Sequence, residues 1–576
     1  MAPRSAPLPT VNLSLGVVFG LPRGAAEAFL GLPYALPPLG ARRFAPAELW
    51  THSWRPALRD ATSHGAPCHQ STGEWDRNPS EHPSPEAPPP SEDCLFVNIF
   101  RPSAQSCRPA ACTDLPVMVY IHGGGFCTGS GSSSWIDGAR LAAEQHVIVV
   151  TLNYRLGPLG FLAHRWIISA FGATGGMNGL HDQLTALRWV RLHIGAFGGD
   201  PNRLTLFGQS SGGVSTCVLN ASPLAKTNGG RLFARAIIMS GACIVPERGW
   251  GPHTMGSGLA LGHELAATLG ATSLKALQAL PPQLLQWSNK TLNDNLFAGY
   301  SMDGVLLRGW PLEAYAAGRT VATEIIVGHT SRDGTAAFYG AAPLANASAS
   351  DWRAAVASRW LERSAAVAIE YPLSRYDGSA SAAYIDADAD EALVCPGQAL
   401  IRLAANSGVH VYGYSFSHLS LNCDAGFELS VVPQWRPERL ERSRAFGSWA
   451  THGAELRFVF GNTAGPDDLS SDPNVRKLCP FSDARGEVAL SRQMRGWWAS
   501  FAAGGEPVGE VRWPRIAAPR PGAADAPLQI MEIGAPASAV RPGFKARDCA
   551  FWQTTEQPIW GERRGKSGAF WSHFDY

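Results

Sequence analysis

The residues with the clearest chemical potential in this chain are Gly208-Gln209-Ser210-Ser211-Gly212. A serine with glycine two residues away on either side can stand at the apex of a sharp turn. Only small neighbours let the incoming and outgoing segments pass so close together. Before it, RLTLF (203–207) alternates as a buried strand, and the residues after Gly213 can continue as a helix. Strand, serine turn and helix together expose a hydroxyl for nucleophilic attack. With 61 glycines in 576 residues, the pattern alone is weak. Such a serine also needs a histidine to take its proton, a carboxylate to orient that histidine, and donors for the oxyanion that develops.

The elements around the serine supply candidates for each part. LPVMVYI (115–121) is a continuous apolar run of strand type that ends in His122-Gly123-Gly124-Gly125-Phe126. Three glycines at a strand end leave backbone N–H groups uncovered and free to converge on an anion. A second buried strand, VIVVTL (147–152), leads into Asn153-Tyr154-Arg155, and residues 178–197 carry helical spacing. This order predicts an α/β fold with a mostly parallel sheet. Short strands are expected over 15–60, then strands over 91–100, 234–240, 324–328, 409–416 and 456–460. Residues 250–320 read as mostly helical and 366–384 as peripheral. A helix over 492–501 is expected to turn Trp497 and Trp498 inwards. Asp333 follows the 324–328 strand, and four histidines lie beyond it: His410, His418, His452 and His573. His410 falls within a strand and His573 in the tail, so His418 and His452 compete for the role of base.

Composition excludes several function classes. Net charge is +1 and only 16% of residues are charged, so there is no electrostatic footprint for nucleic acid or an anionic membrane. No apolar run reaches the ~18 residues of a membrane span. The N-terminus lacks the long apolar core of a secretory signal. By contrast, 11 cysteines and sequons at Asn12, Asn220, Asn289 and Asn346 point to an oxidising compartment. A secreted or endomembrane protein whose signal segment is missing from this N-terminus reconciles the two. Cys68 and Cys94 bracket a proline-rich stretch that can only be a surface loop. A bridge between them would stabilise the fold by roughly 3–4 kcal/mol.

Eight stretches occur in one collinear order: FLGLPYALPPLGARRF, SEDCLFVNI, IHGGGF, NYRLGPLGFL, NGLHDQLTALRWV, FGGDPNRLTLFGQSSGG, THGAELRFVFG and CAFW. Through them the chain resembles the carboxylesterase/cholinesterase family (type-B carboxylesterases) of the α/β-hydrolase fold, over 12–553 as one domain, with an aromatic-containing tail at 554–576. The resemblance implies a serine carboxylic-ester hydrolase that needs no metal or organic cofactor and takes a small-molecule ester. Within that family, a lipase or a hormone-type esterase is the alternative. A neuroligin-like adhesion protein is a poor match, because those relatives have lost the nucleophile and carry a membrane span.

Carried over by residue, the resemblance makes Ser210 the nucleophile, His452 the base and Asp333 the acid, where many members have glutamate. His418 matches a non-catalytic histidine of the family. The oxyanion donors become the backbone N–H groups of Gly124, Gly125 and Ser211. Disulfides are implied at Cys68–Cys94 and Cys395–Cys549, while Cys243 has no partner at the family's usual spacing for its middle bridge. Ion pairs are implied between Arg43 and Glu92 and between Arg155 and Asp182. Gln209 stands where most members have glutamate, and Ser211 where most have alanine. Without that carboxylate, the acid limb of kcat/KM is expected at lower pH than in glutamate-bearing relatives, and cholinesterase activity is disfavoured. The loop where cholinesterases carry their choline-binding tryptophan is rebuilt here, and the resemblance does not carry that role over to Trp75. The segment from His418 to His452 is longer than usual and includes Cys423.

Overall fold

The structure is a computed structural model that describes residues 8–70, 83–107, 112–172, 175–227, 230–243, 254–286, 300–334, 347–418, 450, 452–462, 486–518 and 526–554. Trp75, Cys423, His573, the sequons at Asn289 and Asn346, and the tail 555–576 lie outside these residues.

An 11-stranded sheet forms the centre. In chain order its strands are β1 (Leu21–Arg23), β2 (Ala26–Pro33), β3 (Phe96–Pro102), β4 (Leu115–Ile121), β5 (Ile148–Leu152), β6 (Gly199–Gln209), β7 (Arg235–Met239), β8 (Glu324–Thr330), β9 (His410–Phe416), β10 (Gln529–Ile533) and β11 (Ala539–Pro542). Across the sheet they run β11-β10-β9-β8-β7-β6-β4-β5-β3-β2-β1. The seven strands from β10 to β5 are parallel. The outer pairs are antiparallel. Strands with both faces covered read as unbroken apolar runs, which is why β4, β5 and β7 were recognisable without alternation.

The two faces still sort by the pleat. Val117, Val119 and Ile121 pack on one side with Leu206, Ile238 and Val327. Met118 and Tyr120 pack on the other with Phe207, Ile237 and Ile326. The first face is covered by α1 (Asn178–His193) and α2 (Ser211–Ala221), through Leu184, Leu187, Trp189 and Val218. The second is covered by α4 (Leu456–Phe460) and α5 (Glu487–Gly504), with Trp497 and Trp498 fully buried as expected.

Two expectations about these elements are corrected. LRFVF (456–460) is helix, not strand. Four apolar residues around Arg457 do not reveal their period, and here Leu456, Phe458, Val459 and Phe460 bury between α5 and the sheet. Glycines at both ends with left-handed φ, Gly453 at +80° and Gly461 at +75°, punctuate it. Residues 366–384 are not merely peripheral. Val367, Tyr371, Tyr376 and Tyr384 join Trp352, Trp360 and Trp552 in a separate apolar cluster around Cys395 and Cys549. Within 250–320 the described residues hold the helices Met255–Thr268, Leu274–Ala279 and Pro311–Ala316 and a 3-10 turn at Pro282–Leu285.

The expected disulfides Cys68–Cys94 and Cys395–Cys549 are formed. The second ties α3 (Cys395–Asn406) to the C-terminal helix Ala546–Thr554. Two more were not anticipated, Cys107–Cys112 and Cys217–Cys243. Cys243 therefore does have a partner. That partner, Cys217, lies inside α2, beyond the serine turn and among apolar residues. The Asn220 sequon is corrected too. Asn220 is fully buried in α2, where it donates to Tyr315 Oη at 3.0 Å and accepts from Ala322 N at 2.7 Å. It cannot carry a glycan in the folded state.

Candidate active site

The serine turn owes its shape to steric exclusion. Ser210 has φ +59° and ψ −128°, a conformation that a residue with a Cβ rarely adopts. Its N–H donates to Met239 O at 3.0 Å and its carbonyl accepts from Val214 N at 2.8 Å, so β7 and the first turn of α2 clamp it. A Cβ at Gly208 would lie 2.3 Å from Gly212 O, and one at Gly212 only 2.0 Å from Ile121 O. Any larger residue at either position would push β6, α2 and the end of β4 apart.

The glycine loop after β4 lies directly against this turn, since a Cβ built on Gly123 would stand 3.0 Å from Ser210 Cβ. Gly124 and Gly125 take positive φ, +104° and +60°. Their N–H groups donate to no described residue, and Ser211 N is one of the orphan donors at the start of α2. His122 beside them is not a titrating partner. Its Nδ1 donates to Gly123 O at 2.8 Å, its ring stacks on Tyr154 at 4.4 Å, and burial lowers its pKa to about 4. It is neutral and structural.

Asp333 lies just past the end of β8 and His452 just ahead of α4. His452 Nδ1 is 2.6 Å from Asp333 Oδ1. The other oxygen of Asp333 accepts from Thr330 N at 3.1 Å, and neighbouring Arg332 pairs with Asp386 at 2.8 Å. Asp333 is fully buried. Burial alone would raise its pKa, but the charge and hydrogen bond of His452 hold it below the ordinary carboxylate value. An ionised Asp333 accepts, so Nδ1 carries the proton and Nε2 presents its lone pair to the serine turn. There it meets the Gln209 side chain, whose Nε2 lies at 3.2 Å.

The competing histidine is accounted for elsewhere. His418 is buried with its Nε2 3.0 Å from Glu487 Oε1 on α5. His410 is an exposed first residue of β9. Glu455 was missed in the sequence. It is fully buried three residues after His452, accepts from Tyr414 Oη at 3.3 Å, and is pushed up to about 7 by burial and then by Asp333. Its signal was a lone carboxylate opening LRFVF, a run that is apolar but for Arg457.

A family model described as the carboxylesterase family matches residues 7–552. The chain belongs to the carboxylesterase family. The relatives that it matches over most of their length are named as esterases, and the chain is a carboxylic ester hydrolase. It is 33% identical to a para-nitrobenzyl esterase of Bacillus subtilis over 516 residues, 88% of this chain and 92% of that one. It is 32% identical to carboxylesterase 1C of Mus musculus (91% and 88% covered) and 30% identical to an acetylcholinesterase of Bungarus fasciatus (92% and 82%). A solved structure of a PNB esterase superposes with a TM-score of 0.71 at 28% identity, covering 94% of this chain and 99% of that one.

Both ion pairs expected from the resemblance are formed in this carboxylesterase. Arg155, just after β5, forks onto Asp182 of α1 at 2.7 and 2.8 Å, and both side chains are buried. Arg43 engages Glu92 through Nε at 2.6 Å and through Nη2, and reaches the carbonyl of Gln278 at 2.8 Å. These pairs pin loops rather than add net stability. Removing one partner is another matter. Asp182→Ala leaves a buried guanidinium uncompensated, and urea unfolding is expected to show a loss of about 3–5 kcal/mol.

No helix among the described residues is long and apolar enough to cross a membrane.

Proposed function

We propose that this carboxylic ester hydrolase works through an acyl-enzyme on Ser210. His452 Nε2 takes the hydroxyl proton as Ser210 Oγ attacks the ester carbonyl. The oxyanion is received by the N–H groups of Gly124, Gly125 and Ser211, and the alcohol leaves with the proton from His452. Water, deprotonated by the same nitrogen, then releases the acid and restores the serine. Asp333 stays ionised and keeps Nδ1–H in place throughout. The observation that carries this reading is the 2.6 Å contact between a buried Asp333 and His452, with the histidine's other nitrogen turned to the strained serine turn.

The substrate on this reading is a small neutral ester, since the glutamate that would favour a cationic one is replaced by Gln209. Four disulfides among the described residues support an oxidising compartment, hence a secreted or endomembrane protein. The exposed Asn12 is a sterically open glycan acceptor. The test is hydrolysis of nitrophenyl esters of graded acyl length. Turnover that peaks at short chains is expected for an esterase, and a maximum at long chains would make the enzyme a lipase. Absence of turnover at every length would overturn the reading.

A further inference from the structure

From the contact between Gln209 and His452 we infer that Gln209 is a latch on the resting enzyme: its carboxamide caps the lone pair that must receive the Ser210 proton. The inference rests on the acyl-enzyme reading above. With Nδ1–H committed to Asp333 at 2.6 Å, His452 has one acceptor left, Nε2, and the Gln209 NH2 points at it from 3.2 Å. An imidazole nitrogen accepts one in-plane hydrogen bond, so the Ser210 hydroxyl and the Gln209 amide compete for a single site. In the structure the amide stands at that site, 3.2 Å from Nε2.

The arrangement is enclosed rather than incidental. Gln209 is 1% exposed, and its carboxamide is wrapped by two glycines. A Cβ on Gly123 would stand 3.2 Å from its oxygen, and one on Gly453 3.4 Å from its nitrogen. An ionised glutamate at this position has no proton to donate and cannot cap a neutral imidazole. The latch is thus specific to the carboxamide, and substrate or Ser210 must displace it before proton transfer. Gln209 is a positioning residue, since it acts only through His452. Among the described residues, the titratable groups that face this imidazole are Asp333 directly and Glu455, with Tyr414 behind Glu455 and His329 behind Asp333.

The experiment follows labelling of Ser210 by a small fluorophosphonate across pH, in the wild type, Gln209→Leu, Gln209→Glu and Ser210→Ala. Above the acid limb, release of one hydrogen bond is expected to speed labelling of both Gln209 variants by about 2- to 10-fold. Gln209→Glu should also move the acid limb to higher pH, because a carboxylate beside Nε2 favours the imidazolium. Rates equal to or below wild type in both Gln209 variants would overturn the latch. So would an unmoved acid limb in Gln209→Glu. If the leucine variant does not fold, the near-isosteric glutamate variant decides alone. The underlying reading fails separately, by an unlabelled wild type or by a Ser210→Ala enzyme that labels as fast.

Discussion

Ser210→Ala is expected to lower kcat on a nitrophenyl ester by roughly 10⁶-fold, leaving a residual rate of about 10³–10⁴ over water. The loss is large because the hydroxyl is the only atom removed, yet it is the atom to which the other groups are addressed. The rate that remains is the contribution of the glycine loop, whose Gly124 and Gly125 N–H groups donate to no described residue and do not depend on position 210. Stability separates this chemical loss from a structural one. Alanine keeps a Cβ at φ +59°, so its unfolding midpoint should match the wild type. Ser210→Gly removes the Cβ that makes this conformation costly, and should stabilise the protein by about 1–3 kcal/mol while being equally inactive. An inactive variant that is more stable than its parent would identify the strain at Ser210 as a cost of placing the nucleophile. A glycine variant less stable than wild type would show that the turn is not strained.

What could be read in the sequence, and what could not, divides along one physical line. Local steric demands were legible. The glycines around Ser210 and after His122 advertise close backbone approach, and buried parallel strands such as β4 and β5 announce themselves as unbroken apolar runs. Pairings across long separations were not legible from the residues alone. Asp333 and His452 lie 119 residues apart, and nothing in either neighbourhood distinguishes His452 from His418. The resemblance to a family selected between them, and the structure gives the physical difference: His418 is held by Glu487 on another helix. The misreadings share a cause. The LRFVF run and the 366–384 segment were judged by a local pattern that does not separate strand, helix and satellite core. Each is defined by what packs against it, α5 and Trp552 respectively.

The second large effect is expected at Asp333. Asparagine has the volume of aspartate but offers an N–H as well as an oxygen, so it can meet His452 in the wrong sense. If its amide donates to Nδ1, the ring proton moves to Nε2, and the atom facing Ser210 can no longer accept. A kcat lower by about 10⁴-fold with little change in KM is the expected result, the scale found when this tautomer is lost in a serine protease. Asp333→Glu is the discriminating control. It keeps an ionised acceptor but adds one methylene to a fully buried site, which costs typically 1–3 kcal/mol of packing. It should therefore lose stability yet retain at least 100-fold more activity than Asp333→Asn. Equal losses in the two variants would mean that shape, not charge, is what Asp333 supplies. The pH dependence of stability gives an independent reading of the same charge. Because the folded pKa of Asp333 lies below its ordinary value, its ionised form contributes stability above the normal carboxylate range. That contribution is lost as pH falls through the folded pKa. Asp333→Asn carries no such charge, so its thermal midpoint should decline less steeply than the wild type's on acidification. An identical decline in both proteins would place the titrating charge elsewhere and leave Asp333 without the role that its 2.6 Å contact with His452 assigns to it.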